Sequence, residues 1–71
     1  MKPITELHLG RRYHISSISR QQENLYLLEM GFTPGEEIQV LSKSPFNGPI
    51  SVALRGTVIA LRQNEANLIL C

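Results

Sequence analysis

The strongest pattern along the chain is a two-residue alternation of apolar and polar positions, the mark of half-buried strands. Ile50, Val52 and Leu54 alternate with Ser51, Ala53 and Arg55, and beyond Arg55-Gly56 the rhythm resumes with Thr57, Ile59 and Leu61. A glycine between the two runs suits the left-handed position of a tight hairpin, so the two segments are predicted to pair antiparallel. Ile38 and Val40 alternate with Glu37 and Gln39 until Leu41 breaks the phase, which predicts a strand over roughly Glu36 to Lys43. In the segment from Arg12 to Ile18, Tyr13 and Ile15 share a face but Ile18 falls out of phase. That strand is therefore expected to bulge or end at Ser16-Ser17. Ile4, Leu7 and Leu9 lead into Gly10 as a short strand or turn. Gln63 to Ala66 has the length of one helical turn, and Leu68 to Cys71 closes the chain as an apolar strand.

One stretch has the signals of a helix instead. Ser19 stands three residues before Gln22, the spacing of a capping box. Leu25, Leu28 and Met30, with Leu27 beside them, predict a short apolar face, with Gln21, Gln22, Asn24 and Glu29 toward water. Gly31 supplies a left-handed residue to end the helix, Phe32 folds back on the last turn, and Pro34 forbids continuation. Pro34-Gly35 has the residues of a type II turn, and Ser44 to Pro49 is a loop rich in turn formers. Five short strands with one helix between the first two favour a small barrel over an open sheet, since closure removes exposed edges. The expected class is all-β, mainly β with one short helix, in a single domain over residues 1–71.

Composition narrows the partners. A chain of 71 residues buries only roughly 60% of its unfolded surface, so self-association would help it. Seven Lys and Arg against six Glu leave a formal charge of +1, too little to direct it to nucleic acid or an anionic membrane without clustering. Cys71 is the only cysteine, so no intrachain disulfide forms and a reducing compartment, the cytoplasm, is expected. The N-terminus lacks the apolar core of a secretion signal and no apolar run is long enough to span a bilayer, so contact with a membrane is expected only through a partner.

Several motifs recur in a fixed order: Leu27-Leu28-Glu29-Met30-Gly31-Phe32-Thr33-Pro34-Gly35, then Ile38 to Val40, Pro45-Phe46-Asn47-Gly48-Pro49-Ile50, Arg55-Gly56, Ile59-Ala60-Leu61-Arg62 and Glu65-Ala66. From about Leu7 onward this order resembles the ferrous-iron transport protein A (FeoA) family. The resemblance implies a small five-stranded SH3-like barrel and a cytoplasmic accessory of a membrane ferrous-iron permease of the FeoB type, whose cytoplasmic part binds GTP. Related domains also occur fused to that permease or as the C-terminal module of iron-dependent repressors, so an alternative is an SH3-like module binding nucleic acid or a regulatory protein domain.

Candidate partner-binding residues are Tyr26, Pro45, Phe46 and Asn47. Phe46 sits among turn residues, where its ring is either tucked over the barrel end or offered to a partner. Tyr26 lies one residue off the Leu25 and Leu28 face, as a surface anchor or packed at the helix edge. The Met30 to Gly35 segment is explained by helix termination and a turn. His8, His14 and Cys71 invite a metal, but their spacing along the chain does not build a site, and no cofactor is expected. The chain has no Asp, no phosphate-binding Gly-Lys-Ser/Thr loop and no nucleophile beside an evident base, so no enzyme is expected. Arg11, Arg12 and Arg20 suit an acidic partner surface or plain solvation, and Arg55 is expected to be structural or solvated. Four aromatics and no Trp argue against a nucleic-acid stacking platform and against a proline-rich peptide groove.

Overall fold

The computed structural model describes residues 1–19 and 24–71. Among these residues six short strands form two antiparallel sheets. β1 (Arg12–His14), β3 (Glu37–Lys43), β4 (Ile50–Leu54) and β5 (Thr57–Leu61) make a four-stranded sheet in the order β1-β3-β4-β5. β2 (Ser17–Ile18) and β6 (Ile69–Leu70) make a second sheet. The strand expected over Arg12 to Ile18 is thus split where Ile18 leaves phase, which brings the count to six. Ile15 still donates to the carbonyl of Glu36 at 2.9 Å in the first sheet, and Ser16 donates to that of Leu70 at 2.7 Å in the second. Its buried Ile15 side chain, 2% exposed, faces the core between the sheets.

The central hairpin follows the alternation residue by residue. Ile50, Val52 and Leu54 are buried while Ser51 and Ala53 are half-buried on the other face. Arg55 and Gly56, at φ of 52° and 78°, form the two-residue turn that joins β4 to β5, in register Leu54 opposite Thr57. The phase break at Leu41 is a β-bulge: Val40 faces Val52, then Ser42 faces Ser51. The bulge absorbs the extra residue and leaves Leu41 exposed.

Between β2 and β3 along the chain, α1 (Asn24–Glu29) ends as its residues require. Phe32 donates to the Leu27 carbonyl at 3.0 Å and Gly31 to that of Leu28 at 3.1 Å, the paired bonds of a Schellman stop with Gly31 at φ 105°. Leu27 and Phe32 are both fully buried. The helix face differs from expectation: Leu27 is its core residue, Leu28 and Met30 are half-buried, and Leu25 is exposed. In a helix this short, the Leu27–Phe32 stop sets which side turns inward, and Leu25 is left on the outer side. The proposed Ser19–Gln22 capping box involves residues outside those described. Pro34-Gly35 forms the expected turn, closed by Glu36 donating to the Thr33 carbonyl at 3.1 Å with Gly35 at φ 94°.

The N-terminal segment is corrected. Ile4–Glu6 is a 3₁₀ turn; Ile4 and Leu7 enter the core, but Leu9 is exposed. The turn's carbonyls attract the Lys43 ammonium, which donates to Thr5 and Leu7 at 2.9 Å each. Lys2 and Cys71 exchange backbone bonds at 3.0 and 2.9 Å, so the N-terminus covers the far edge of β6. α2 (Gln63–Ala66) is the expected single turn, with the Glu65 carboxylate accepting from the Arg62 backbone N–H at 2.8 Å. Among the described residues no helix is long and apolar enough to cross a membrane.

Two stability predictions follow from this packing. Phe32→Ala removes a fully buried ring from the helix stop and is expected to lower unfolding free energy by about 3–5 kcal/mol in urea titrations. The Arg55 guanidinium hydrogen-bonds Glu36, which holds the Glu36 carboxyl below the usual glutamate range. A lowered carboxyl pKa stabilises the fold above the unfolded-state value, and the contribution disappears as pH falls through the lower folded-state value. The melting-temperature gap between wild type and Arg55→Gln should therefore be present at neutral pH and shrink below about pH 4.

Candidate functional site

The loop from Ser44 to Pro49 is a hairpin turn stretched between β3 and β4. Ser44 donates to the Pro49 carbonyl and Gly48 to that of Pro45, each at 3.1 Å. Phe46 and Asn47 both stand at φ 58°, the left-handed pair of a type I′ turn. Gly48 is set by space: a Cβ there would lie 2.7 Å from that of Ser44. Asn47 tolerates its conformation, but a phenylalanine at positive φ is strained. The Phe46 ring is also 100% exposed. Together these features present an aromatic ring on the tip of a hydrogen-bonded turn. Of the two placements the sequence left open, the ring is offered outward. Gln63 of α2 donates to the Gly48 carbonyl at 3.1 Å, which braces the turn against the end of β5.

Tyr26 belongs to a different patch. It is half exposed on α1, beside Leu25 at 62% exposed, a residue assigned to the core from the helical pattern. A Cβ on Gly31, just past the helix, would lie 3.4 Å from the Leu54 side chain, so α1 ends at the Leu54 end of β4. The Phe46 turn enters at the Ile50 end, roughly 14 Å of strand away. The four candidate residues therefore form two patches: Pro45, Phe46 and Asn47 on one tip, and Tyr26 with Leu25 near the other end of β4. Sequence reasoning missed Leu25 because a six-residue helix carries too few turns to show which stripe is buried.

The charged and soft side chains are dispersed. Arg12 pairs with Glu37 at 3.5 Å between exposed side chains, and Arg55 with Glu36, along the outer face of β1 and β3. Such exposed pairs contribute little stability. Arg11 lines a shallow cleft, and Arg20 lies outside the described residues. Tertiary folding brings His8, Cys71, Glu6 and Met1 to that same cleft, an approach hidden by their sequence separation. Burial pushes the Cys71 thiol pKa up, which disfavours the thiolate a metal would need. His14 is on the exposed face of β1. Among the described residues, no three His, Cys, Asp or Glu side chains converge to hold a metal.

Comparisons with known proteins agree with this architecture. The FeoA domain family model matches residues 2–71. The fold is similar to that of iron(II) transport protein A from Clostridium thermocellum, with 34% identity and a TM-score of 0.84 over 97% of this chain and 43% of that one. The chain thus spans less than half of that relative. It is also similar to Stenotrophomonas maltophilia FeoA solved with zinc, at 31% identity and a TM-score of 0.81, covering 99% of this chain and 87% of that one. That protein is described as a prokaryotic SH3 domain protein and a candidate ferrous iron transport activating factor. A manganese-dependent transcriptional repressor shares the fold at 24% identity and a TM-score of 0.82, over 97% of this chain and 39% of the repressor. No curated protein matches the sequence.

Because Phe46 has no burial to lose, Phe46→Asn should relieve the left-handed strain. Its unfolding free energy is expected to rise by about 1 kcal/mol, measured in urea alongside an unchanged circular dichroism spectrum.

Proposed function

This chain belongs to the FeoA family, SH3-like domains associated with ferrous iron transport, and from that premise we propose that it is an accessory module that docks on the cytoplasmic GTP-binding part of an FeoB-type ferrous-iron permease and biases its conformations. The observation that carries this reading is the Phe46 tip: a fully exposed aromatic ring in a strained left-handed turn, braced by Gln63. Aromatic anchors of this kind dominate the energetics of protein interfaces. Biasing a partner needs only unequal affinity for two of its states, with no chemistry in the module. The near-neutral charge and the absence of Asp support a binding role over catalysis. Action within the cytoplasm, on one domain over residues 1–71, belongs to the same proposal. Pro45 and Asn47 frame the ring, and Tyr26 with Leu25 offers a second contact. A regulatory domain like that of the repressor is the second reading, favoured by the shared fold and by nothing in the residues.

The test is capture of the permease's purified cytoplasmic region by this chain. Wild type is expected to bind, and Phe46→Asn, which keeps or gains stability, to lose at least about tenfold in affinity, the range of an aromatic hot spot. Tyr26→Ala tests the second patch in the same assay. Absence of wild-type capture rejects the docking role; capture with Phe46→Asn undiminished rejects the tip as its anchor.

A further inference from the structure

The four-stranded sheet has two outer edges, and they are protected very unequally. β1 is three residues long, and its Arg12 and His14 side chains are exposed. Short length and charge are the ordinary means of keeping an edge from pairing with another chain. β5 has neither: Thr57 to Leu61 is uncharged, free of proline, rich in β-favouring residues and regular over five residue pairs with β4. A two-residue turn makes Leu54 and Thr57 a hydrogen-bonded pair, so along the ladder Val52–Ile59 and Ile50–Leu61 are bonded too, while Ala53–Val58 and Ser51–Ala60 are not. The N–H and C=O groups of Val58 and Ala60 therefore point away from β4, off the sheet. Among the described residues no backbone bond from within the chain reaches them. Val58 is 65% exposed, and Ala60 and Thr57 are exposed as well.

Such a row of alternating donors and acceptors is complementary to one kind of object, another extended strand. Charge selects among strands. At the turn end Arg55 is paired with Glu36. At the other end Arg62 is exposed and makes no ion pair among the described residues, the nearby Glu65 carboxylate being held by the Arg62 backbone N–H. A second copy of this chain is a poor fit. Antiparallel pairing of two β5 edges that uses all four free groups sets Val58 against Ala60 of the copy. By the same register Arg62 then falls opposite Gly56, next to Arg55 of the copy, and this is repeated at both ends.

We propose that β5 is an open docking edge for one extended strand of a partner protein, acidic where it passes Arg62. This goes beyond the Phe46 tip and holds whatever protein that tip meets. The probe is a blocked peptide, Glu-Thr-Val-Thr-Val-Thr-Glu, acidic at both ends so that either strand direction brings a carboxylate to Arg62, with a Lys-ended counterpart as control. Amide exchange and chemical shifts of the isotope-labelled chain are followed by NMR. The Glu-ended peptide is expected to slow exchange selectively at Val58 and Ala60 and to bind about threefold or more tightly than the Lys-ended one, as a rim charge pair allows. In Arg62→Glu, a surface change, that preference should reverse. The proposal is overturned if neither peptide protects those two amides, or if Arg62→Glu leaves the preference unaltered. It is equally overturned if they become protected without peptide as the chain dimerises with concentration.

Discussion

The structure depends on a handover at Ile15 and Ser16. One residue hydrogen-bonds Glu36, next to the start of β3 in the four-stranded sheet, and the next bonds β6 of the other, so a single run of chain holds two sheets over one core. A chain of 71 residues has too little apolar surface for two separate cores. Sharing Ile15, Val40, Val52, Leu61 and Ile69 in one cluster is what makes the arrangement stable. The same handover brings Leu70 beside Ser16, and with it Cys71 beside Lys2, which closes the ends of the chain on each other.

Once the core is shared in this way, few large apolar residues remain outside it, and their positions become informative. Leu41 is extruded by a bulge, a geometric consequence of keeping Val40 and Val52 in register. Phe46 has no such excuse, because its turn is closed by Gly48 and would accept a smaller, more tolerant residue at that position. The unprotected flank of β5 is a different kind of exposure, one of backbone groups. Ring and edge meet at the same end of the sheet, since α2 joins β5 directly and is bonded to the Phe46 turn. A partner reaching the tip passes close to the edge, so one binding face would serve both contacts.

Among the described residues, Arg12 and Arg55 pair with Glu37 and Glu36, and Lys43 is bonded to the carbonyls of Thr5 and Leu7. Under the proposed docking, what the chain exerts on its partner is differential affinity, which depends on shape and on which partner state exposes a matching surface.

Local signals in the sequence determined most of the strands and turns. Period-two alternation located β4 and β5, Leu41 marked the bulge, Ile18 marked the split of the first strand, and Gly31-Phe32 marked the helix stop, because each effect is carried by neighbouring residues. The SH3-like class came from the order of those elements and from resemblance. Tertiary structure alone decided that Leu27 and not Leu25 faces the core, that Ile4 to Glu6 coils as a 3₁₀ turn, and that His8 and Cys71 line one cleft. It also decided that Tyr26 and Phe46 stand at different ends of β4 and that the outer edge of β5 has no strand beside it among the described residues. Those outcomes depend on what lies across space from each residue, and alternation along the chain records only which side chains seek burial, not which surface is there to bury them.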